Sequence, residues 1–204
     1  MRLQMPHVLA GLAAVAAMVS LNASAQSSSG QSNGAPSSRL QSADDSKFLQ
    51  GAIRGNTAEV QMGELAKQRA QSKDVRDYGQ MLIDDHSKAN KKAMDTAQRM
   101  NITVSAEPSA KQKQEHDAMA KLSGAEFDTT FMSHMVQDHQ EAIAAFTARA
   151  QSGDSSKATD YAKETLPTLR DHLSKAQQIE SKLSDRSSSS GSSSRSSGSA
   201  ASTR

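Results

Sequence analysis

The sequence contains no cysteine and no tryptophan, and it has only 2 tyrosines and 4 phenylalanines among its 204 residues. Without cysteine the chain can form no disulfide scaffold, thiolate zinc finger, iron–sulfur cluster or thiol nucleophile. The scarcity of aromatic residues, which strands favour, argues against a β-sandwich or barrel. Lys+Arg number 24 and Asp+Glu 22, and this near balance argues against the basic face that nucleic-acid binding requires. We therefore expect no nucleic-acid partner.

Residues 1–25 have the pattern of a secretory signal peptide. Arg2 gives a positive start, and the apolar run at 8–21 is shorter than the about 20 residues that a membrane span needs. Ala23 and Ala25 then place small residues at the two recognition positions of a cleavage site. The pattern predicts an exported protein, periplasmic or outer-membrane-associated. A short membrane anchor is the alternative.

Both ends of the remaining chain are polar and low in complexity. Residues 26–43 are mostly Ser, Gly, Gln and Asn, and residues 184–204 are dominated by Ser with interspersed Arg. Such segments bury too little apolar surface to offset chain entropy. We expect a disordered linker and a disordered tail on either side of a domain at 44–183, which is long enough for a hydrophobic core. The tail could make weak contact with an anionic envelope surface, or it could simply be disordered.

The domain has the periodicity of amphipathic helices. Apolar residues recur at three-to-four-residue spacing over four long stretches, and a shorter polar stretch lies between the second and third. The five stretches are 44–72, 73–100, 109–122, 123–151 and 155–183. Ser123 and Glu126 have capping-box spacing. Pro167 lies inside the last stretch, where the apolar pattern continues in phase, so we expect a kink. Four long helices with mostly short connections predict an all-α, up-and-down four-helix bundle with a short extra helix.

Each long helix places one ionisable residue on its apolar face. These residues are Glu59, His86, His139 and His172. Counted from the helix ends, Glu59 and His86 lie at similar depth, whereas His139 and His172 differ by about 7 Å along the axis. Bundles build metal sites from inward Glu and His side chains, and imidazole suits Zn, Cu, Fe or Ni. The alternative is a buried hydrogen-bonded network that sets helix register without a metal.

An aspartate directly precedes each of these three histidines. Asp85, Asp138 and Asp171 lie about 100° around the helix from their neighbours, so they suit the orientation of another histidine better than ligation of the same ion. His134 is expected to pair with Asp138, and His116 to be exposed. The chain has no Glu-x-x-His sequence, which argues against a ferritin-type di-iron centre.

Short motifs spread over 44–183 form a distinctive combination. They are Phe48-x-x-x-Ala52, Glu59-Val60, Gly63-x-Leu65-Ala66, Val75-Arg76-Asp77-Tyr78, Asp84-Asp85-His86, Phe127-Asp128, Met135-Val136-x-x-His139 and Leu166-Pro167-x-Leu169-x-x-His172. In combination they resemble the bacterial domain-of-unknown-function 4142 family. The resemblance implies an exported, ferritin-like helical bundle of a kind often named as an outer-membrane protein. It implies no activity, because the biochemical role of that family is unsettled.

These observations favour a non-enzymatic envelope protein whose central His and Glu residues bind a transition-metal ion. Two other functions stay open. One is a metal-dependent oxidoreductase, which needs an open coordination position and an anionic ligand such as Glu59. The other is a structural or stress-related interaction module, tethered to the envelope by its tails.

Overall fold

The structure is a computed structural model that describes residues 36–193, and these residues form five α-helices. The helices are α1 (Pro36–Arg69), α2 (Lys73–Arg99), α3 (Ala110–Met119), α4 (Gly124–Ala150) and α5 (Lys157–Ser193). The described residues contain no β-strand beyond an isolated bridge between Ala70 and Gly124. The predicted all-α class is therefore confirmed. Within 36–193, no helix is long and apolar enough to cross a membrane. The predicted signal peptide lies outside the described residues.

The predicted helices are present, and their bounds differ most at the two ends of the domain. The bounds of α2 and α4 agree with prediction to within one residue. In contrast, α1 begins at Pro36 rather than at residue 44, and α5 continues to Ser193 rather than ending at 183. Both extensions are polar, and they continue helices that tertiary packing has already nucleated, so each added residue costs little. Pro167 lies inside α5, which continues on both sides of it.

The helix starts are capped differently from the prediction. The capping box predicted at Ser123 is wrong, because this residue makes no side-chain cap hydrogen bond. A capping box forms instead at Ser109, whose side chain accepts from the backbone N–H of Gln112. The turn into α2 is tied by the α4 carboxylate of Asp128, which accepts from the backbone N–H of residue 71 at 3.1 Å and of residue 72 at 2.7 Å. Residue spacing can predict only caps formed by residues close in sequence. The Asp128 contact joins residues more than 50 positions apart, so it depends on the tertiary fold.

The long helices form two antiparallel hairpins. In the first, Asn56 of α1 contacts His86 of α2, and Gly63 faces Gly79 closer to the turn. A Cβ added at Gly63 would lie 2.5 Å from the carbonyl oxygen of Gly79, so the absence of a side chain there is what lets the two backbones touch. In the second hairpin, α4 and α5 meet at His139 and His172. The predicted antiparallel neighbours are therefore present within each hairpin.

The order of helix directions between the hairpins differs from a simple up-and-down bundle. Asp45 and Arg149 pair across α1 and α4 at one end, and Asp128 contacts the α1–α2 turn at the other, so α1 and α4 are antiparallel. Two contacts show that α2 and α5 are also antiparallel: Asp85 with His172, and Lys92 with Glu164. It follows that α2 and α4 run in the same direction. Residues 100–123, which include the predicted short extra helix as α3, carry the chain back along the bundle, so this predicted connection is a crossover between parallel helices.

The core consists of two apolar clusters with a polar layer between them. One cluster surrounds Phe127 and Phe131 and includes Leu82 of α2. The other surrounds Phe146 and Tyr161. On each long helix, the residues between the clusters are the polar ones: Asn56 and Glu59 on α1, His86 on α2, His139 on α4 and His172 on α5. The fold thus collects these side chains at one level of the bundle, closed above and below by apolar side chains.

Candidate metal centre

Three histidines from three helices meet in the polar layer. His86, His139 and His172 are 5%, 1% and 1% exposed. One ring nitrogen from each lies within 4.8 Å of the corresponding nitrogens of the other two. The depth difference expected between His139 and His172 does not separate them, since their nearest ring nitrogens are 3.3 Å apart. The structure therefore brings together three of the four predicted ligands.

Each of these imidazoles has one nitrogen held by an oxygen acceptor. The Nδ1 of His139 lies 2.9 Å from the backbone carbonyl oxygen of Met135. The Nδ1 of His86 lies 2.9 Å from Oδ1 of Asn56, and the Nε2 of His172 lies 3.2 Å from Oδ2 of Asp85. A carbonyl or carboxylate oxygen can only accept, so we assign the proton of each neutral ring to the nitrogen that faces it.

This assignment leaves three nitrogens with lone pairs inside the bundle: His86 Nε2, His139 Nε2 and His172 Nδ1. The last two face each other at 3.3 Å, with no hydrogen to share in these tautomers. His86 Nε2 is buried and has no hydrogen-bond partner among the described residues. Two nitrogen ligands of a tetrahedral zinc ion at 2.0–2.1 Å are separated by about 3.3 Å. A cation between the rings would satisfy all three lone pairs.

Burial keeps these rings in the neutral form that ligates metals. Burial, helped by the nearby His172, lowers the pKa of His139 to about 4. Burial also holds the pKa of His86 well below its usual value, and the two other histidines add to this effect. The pKa of His172 is lowered by burial, although the Asp85 carboxylate opposes the shift. No proton therefore competes strongly for the three lone pairs at neutral pH.

Glu59, the fourth predicted ligand, lies beside the histidine group and not within it. Its carboxylate is outside the set of atoms that are all within 4.8 Å of one another. Its Oε2 is buried, with no hydrogen-bond partner among residues 36–193. Burial, together with the charge of the Asp138 carboxylate, raises the pKa of Glu59 to about 8. Glu59 is thus a buried acid with one oxygen that no donor among the described residues satisfies.

A cavity connects this polar layer to the surface. It has a volume of about 720 Å³ and lies between α1, α3 and α4. Glu59, His86 and His139 line it, together with apolar side chains such as Met62 and Phe146. The histidine group therefore has an approach from one side of the bundle. On another side, His172 is covered by Asp85 and by Tyr78, whose hydroxyl donates to the His172 carbonyl oxygen at 3.3 Å.

The family described as "Domain of unknown function (DUF4142)" matches residues 29–179. The chain belongs to the DUF4142 family. Among solved structures, this DUF4142 protein is similar to a DUF305 fragment from Deinococcus radiodurans, with a TM-score of 0.59 and 14% identity. That match covers 70% of this chain and 96% of the fragment, and at this identity it shows the fold alone. No curated protein matches the chain.

The three aspartates that precede the histidines of the DUF4142 chain differ in their contacts. Asp85 accepts from His172, as expected of an aspartate that orients a histidine on another helix. Asp138 pairs with His134 at 3.3 Å, which confirms the predicted ion pair. The third, Asp171, is exposed.

Sequence reasoning missed the residue that orients His86. Asn56 is 5% exposed, and its side-chain N–H donates to the Tyr161 hydroxyl at 3.1 Å, which leaves its oxygen to accept from His86. The available signal was its position three residues before Glu59, on the same face of α1. A polar residue at that position could have been read as part of the same polar layer.

Proposed function

We propose that this DUF4142 protein is an exported, ferritin-like bundle that binds one divalent transition-metal ion through His86, His139 and His172. The observation that carries the proposal is the convergence of three imidazoles, with one nitrogen of each within 4.8 Å of the others and one nitrogen of each ring held by an oxygen acceptor. Histidines that bind metals almost always donate their second N–H to a carboxylate, a carbonyl or water. All three rings have such a partner.

The donor set favours Zn, Cu, Ni or Fe(II). Imidazole nitrogen is a ligand that each of these ions accepts, and the layer offers no thiolate because the chain has no cysteine. Three protein ligands leave at least one coordination position, which would face the cavity and Glu59. Glu59 is our candidate for an anionic fourth ligand, since it lines the cavity with His86 and His139 and its buried Oε2 lacks any other partner among the described residues.

Two further observations support the ferritin-like and exported parts of the proposal. A single long crossover between two hairpins is the connection found in ferritin-like bundles, and residues 100–123 have that course. Residues 1–25 carry the charge, apolar core and small-residue pattern of a signal peptide. Because the chain lacks Glu-x-x-His, the proposal does not include di-iron chemistry.

The alternative of a purely structural hydrogen-bonded network explains less of the geometry. Such a network would leave the lone pairs of His139 and His172 facing each other at 3.3 Å. It would also leave His86 Nε2 and Glu59 Oε2 buried without partners, which is costly for polar atoms. A metal-dependent oxidoreductase would use the same three ligands and the coordination position that faces the cavity.

Equilibrium dialysis of the purified protein against Zn²⁺, Cu²⁺, Ni²⁺ or Fe²⁺ tests the proposal. We expect one bound ion per chain and a rise in melting temperature, because a ligand that binds only the folded state stabilises it. His86→Ala, His139→Ala and His172→Ala should each weaken binding at least about tenfold. His116→Ala is the matched control, because this imidazole lies on α3 outside the group, and it should bind like the wild type. The proposal fails if the wild type binds none of these ions, or if the control weakens binding equally.

A further inference from the structure

A row of carboxylates lines the cavity that leads to the histidines. Glu141 is exposed, Glu115 and Asp138 are partly buried, and Glu59 is buried. Asp138 lies close enough to Glu115 and Glu141 for their charges to raise its pKa, although burial is the larger cause. The charge of Asp138 in turn helps to raise the pKa of Glu59. Carboxyl groups therefore line the cavity from the exposed Glu141 to the buried Glu59 beside the histidine group.

Cationic side chains also line the cavity, namely Lys47, Lys111 and Arg149, and Arg149 is held by Asp45. Lys111 pairs with Glu115 at 2.8 Å, but its side chain is 73% exposed. His134 lies 3.3 Å from Asp138 and carries charge only when protonated. The innermost carboxyl, Glu59, has a buried oxygen with no partner among the described residues. A buried carboxylate without a partner is costly, so a site of this kind suits a cation that the protein itself does not supply.

The direction of approach follows from which histidines line the cavity. His86 and His139 line it, together with Glu59 and Asp138. His172 does not line the cavity, and its Nε2 is occupied by Asp85. A cation from the cavity therefore reaches His172 only after it has passed His86 and His139. A cation arriving through the cavity thus meets carboxylates first and imidazoles last.

We propose that Glu141, Glu115, Asp138 and Glu59 form the access path of the metal ion, with Asp138 and Glu59 as a transient cation site. A divalent transition-metal ion is attracted at the surface, is held between these two carboxylates, and passes to the three histidines. The inference rests on the proposed function, and it adds that the bound metal is exchangeable through one face of the bundle. Carboxylates that outnumber the cations of a cleft raise the arrival rate of positive ions.

Stopped-flow loading of the metal-free protein with Co²⁺ tests this path, because the visible absorption of Co²⁺ reports when nitrogen ligands have replaced water. Asp138→Asn and Glu59→Gln should load about fivefold more slowly than the wild type. For Asp138→Asn, the equilibrium affinity should stay within about twofold, since this residue ligates no metal at equilibrium. Asp95→Asn is the matched control. Asp95 is an exposed α2 carboxylate away from the cavity, and its loss should leave the loading rate unchanged.

The outcomes separate the two proposals. Wild-type loading rates in Asp138→Asn and Glu59→Gln overturn the access path and leave the metal centre standing. Equal slowing by Asp95→Asn also overturns the path, because it would show a general effect of net charge. If the wild type takes up no Co²⁺, the proposed function itself fails. Should Glu59→Gln not fold, Glu141→Gln replaces it: its side chain is exposed, and about twofold slower loading is expected, with an unchanged rate counting against the path.

Discussion

Removing the Asp85 carboxylate should weaken metal binding although Asp85 itself binds no metal. Its Oδ2 accepts from Nε2 of His172 at 3.2 Å, which keeps the lone pair of that ring on Nδ1, directed towards His139. In Asp85→Ala the His172 ring is free to change tautomer and to rotate. Loss of such an orienting partner typically costs 10–100-fold in metal affinity, which corresponds to about 1.4–2.7 kcal/mol of binding free energy.

Isothermal titration of the metal-free protein with Zn²⁺ measures this loss. Asp84→Ala is the matched control, because it removes the same charge from the neighbouring position, where the carboxylate accepts from Gln80 of its own helix. The control should change the affinity less than about threefold. Asp85→Asn keeps an oxygen acceptor and should fall between the two. If Asp85→Ala is folded and binds Zn²⁺ like the wild type, the reasoning about tautomers is wrong.

Three further predictions concern stability, measured by urea unfolding of the metal-free protein. Glu59→Gln should stabilise it by about 3 kcal/mol more at pH 8 than at pH 5: the folded carboxyl, with a pKa of about 8, keeps a proton that the unfolded chain, with a pKa of 4.5, releases as the pH rises through this window. A difference that is independent of pH would contradict the burial of that acid. Gly63→Ala should cost about 1–3 kcal/mol, because its Cβ would lie 2.5 Å from a backbone oxygen of α2, whereas Gly51→Ala, with nothing within 4 Å, should stabilise by about 0.5–1 kcal/mol. Arg149→Ala should cost about 3–5 kcal/mol, because it leaves the Asp45 carboxylate buried without its partner, and a loss below about 1 kcal/mol would show that this pair is not effectively buried.

Helical periodicity predicted much of the fold because each long helix buries one face. The bounds of α2 and α4 could be read from the apolar pattern to within one residue. The crossover between α2 and α4 could not be predicted from the apolar pattern. The pattern indicates which face of a helix is buried, but it does not indicate at which end of the bundle the next helix begins. The start of α1 and the end of α5 could not be predicted either, since polar helical extensions carry no apolar periodicity.

The candidate site was partly predictable for the same physical reason. An ionisable residue on an apolar stripe must enter the core, and counting residues along the helices placed Glu59 and His86 at similar depth. The same count separated His139 from His172 by about 7 Å, a difference that the structure does not show. The acceptors that orient the three imidazoles could not be predicted by counting residues. The oxygen for His139 is a backbone carbonyl one turn back, and the oxygen for His86 belongs to an amide on a different helix. Such contacts depend on side-chain directions that only the packed structure sets.

The central claim is that one metal ion is held by three specific nitrogen atoms. Anomalous diffraction from crystals of the protein grown with Zn²⁺ tests it most directly. The account predicts one strong peak in the polar layer, about 2.0–2.1 Å from His86 Nε2, His139 Nε2 and His172 Nδ1. A map with no peak there, or with zinc only at surface residues while His139 and His172 keep their 3.3 Å contact, would contradict it.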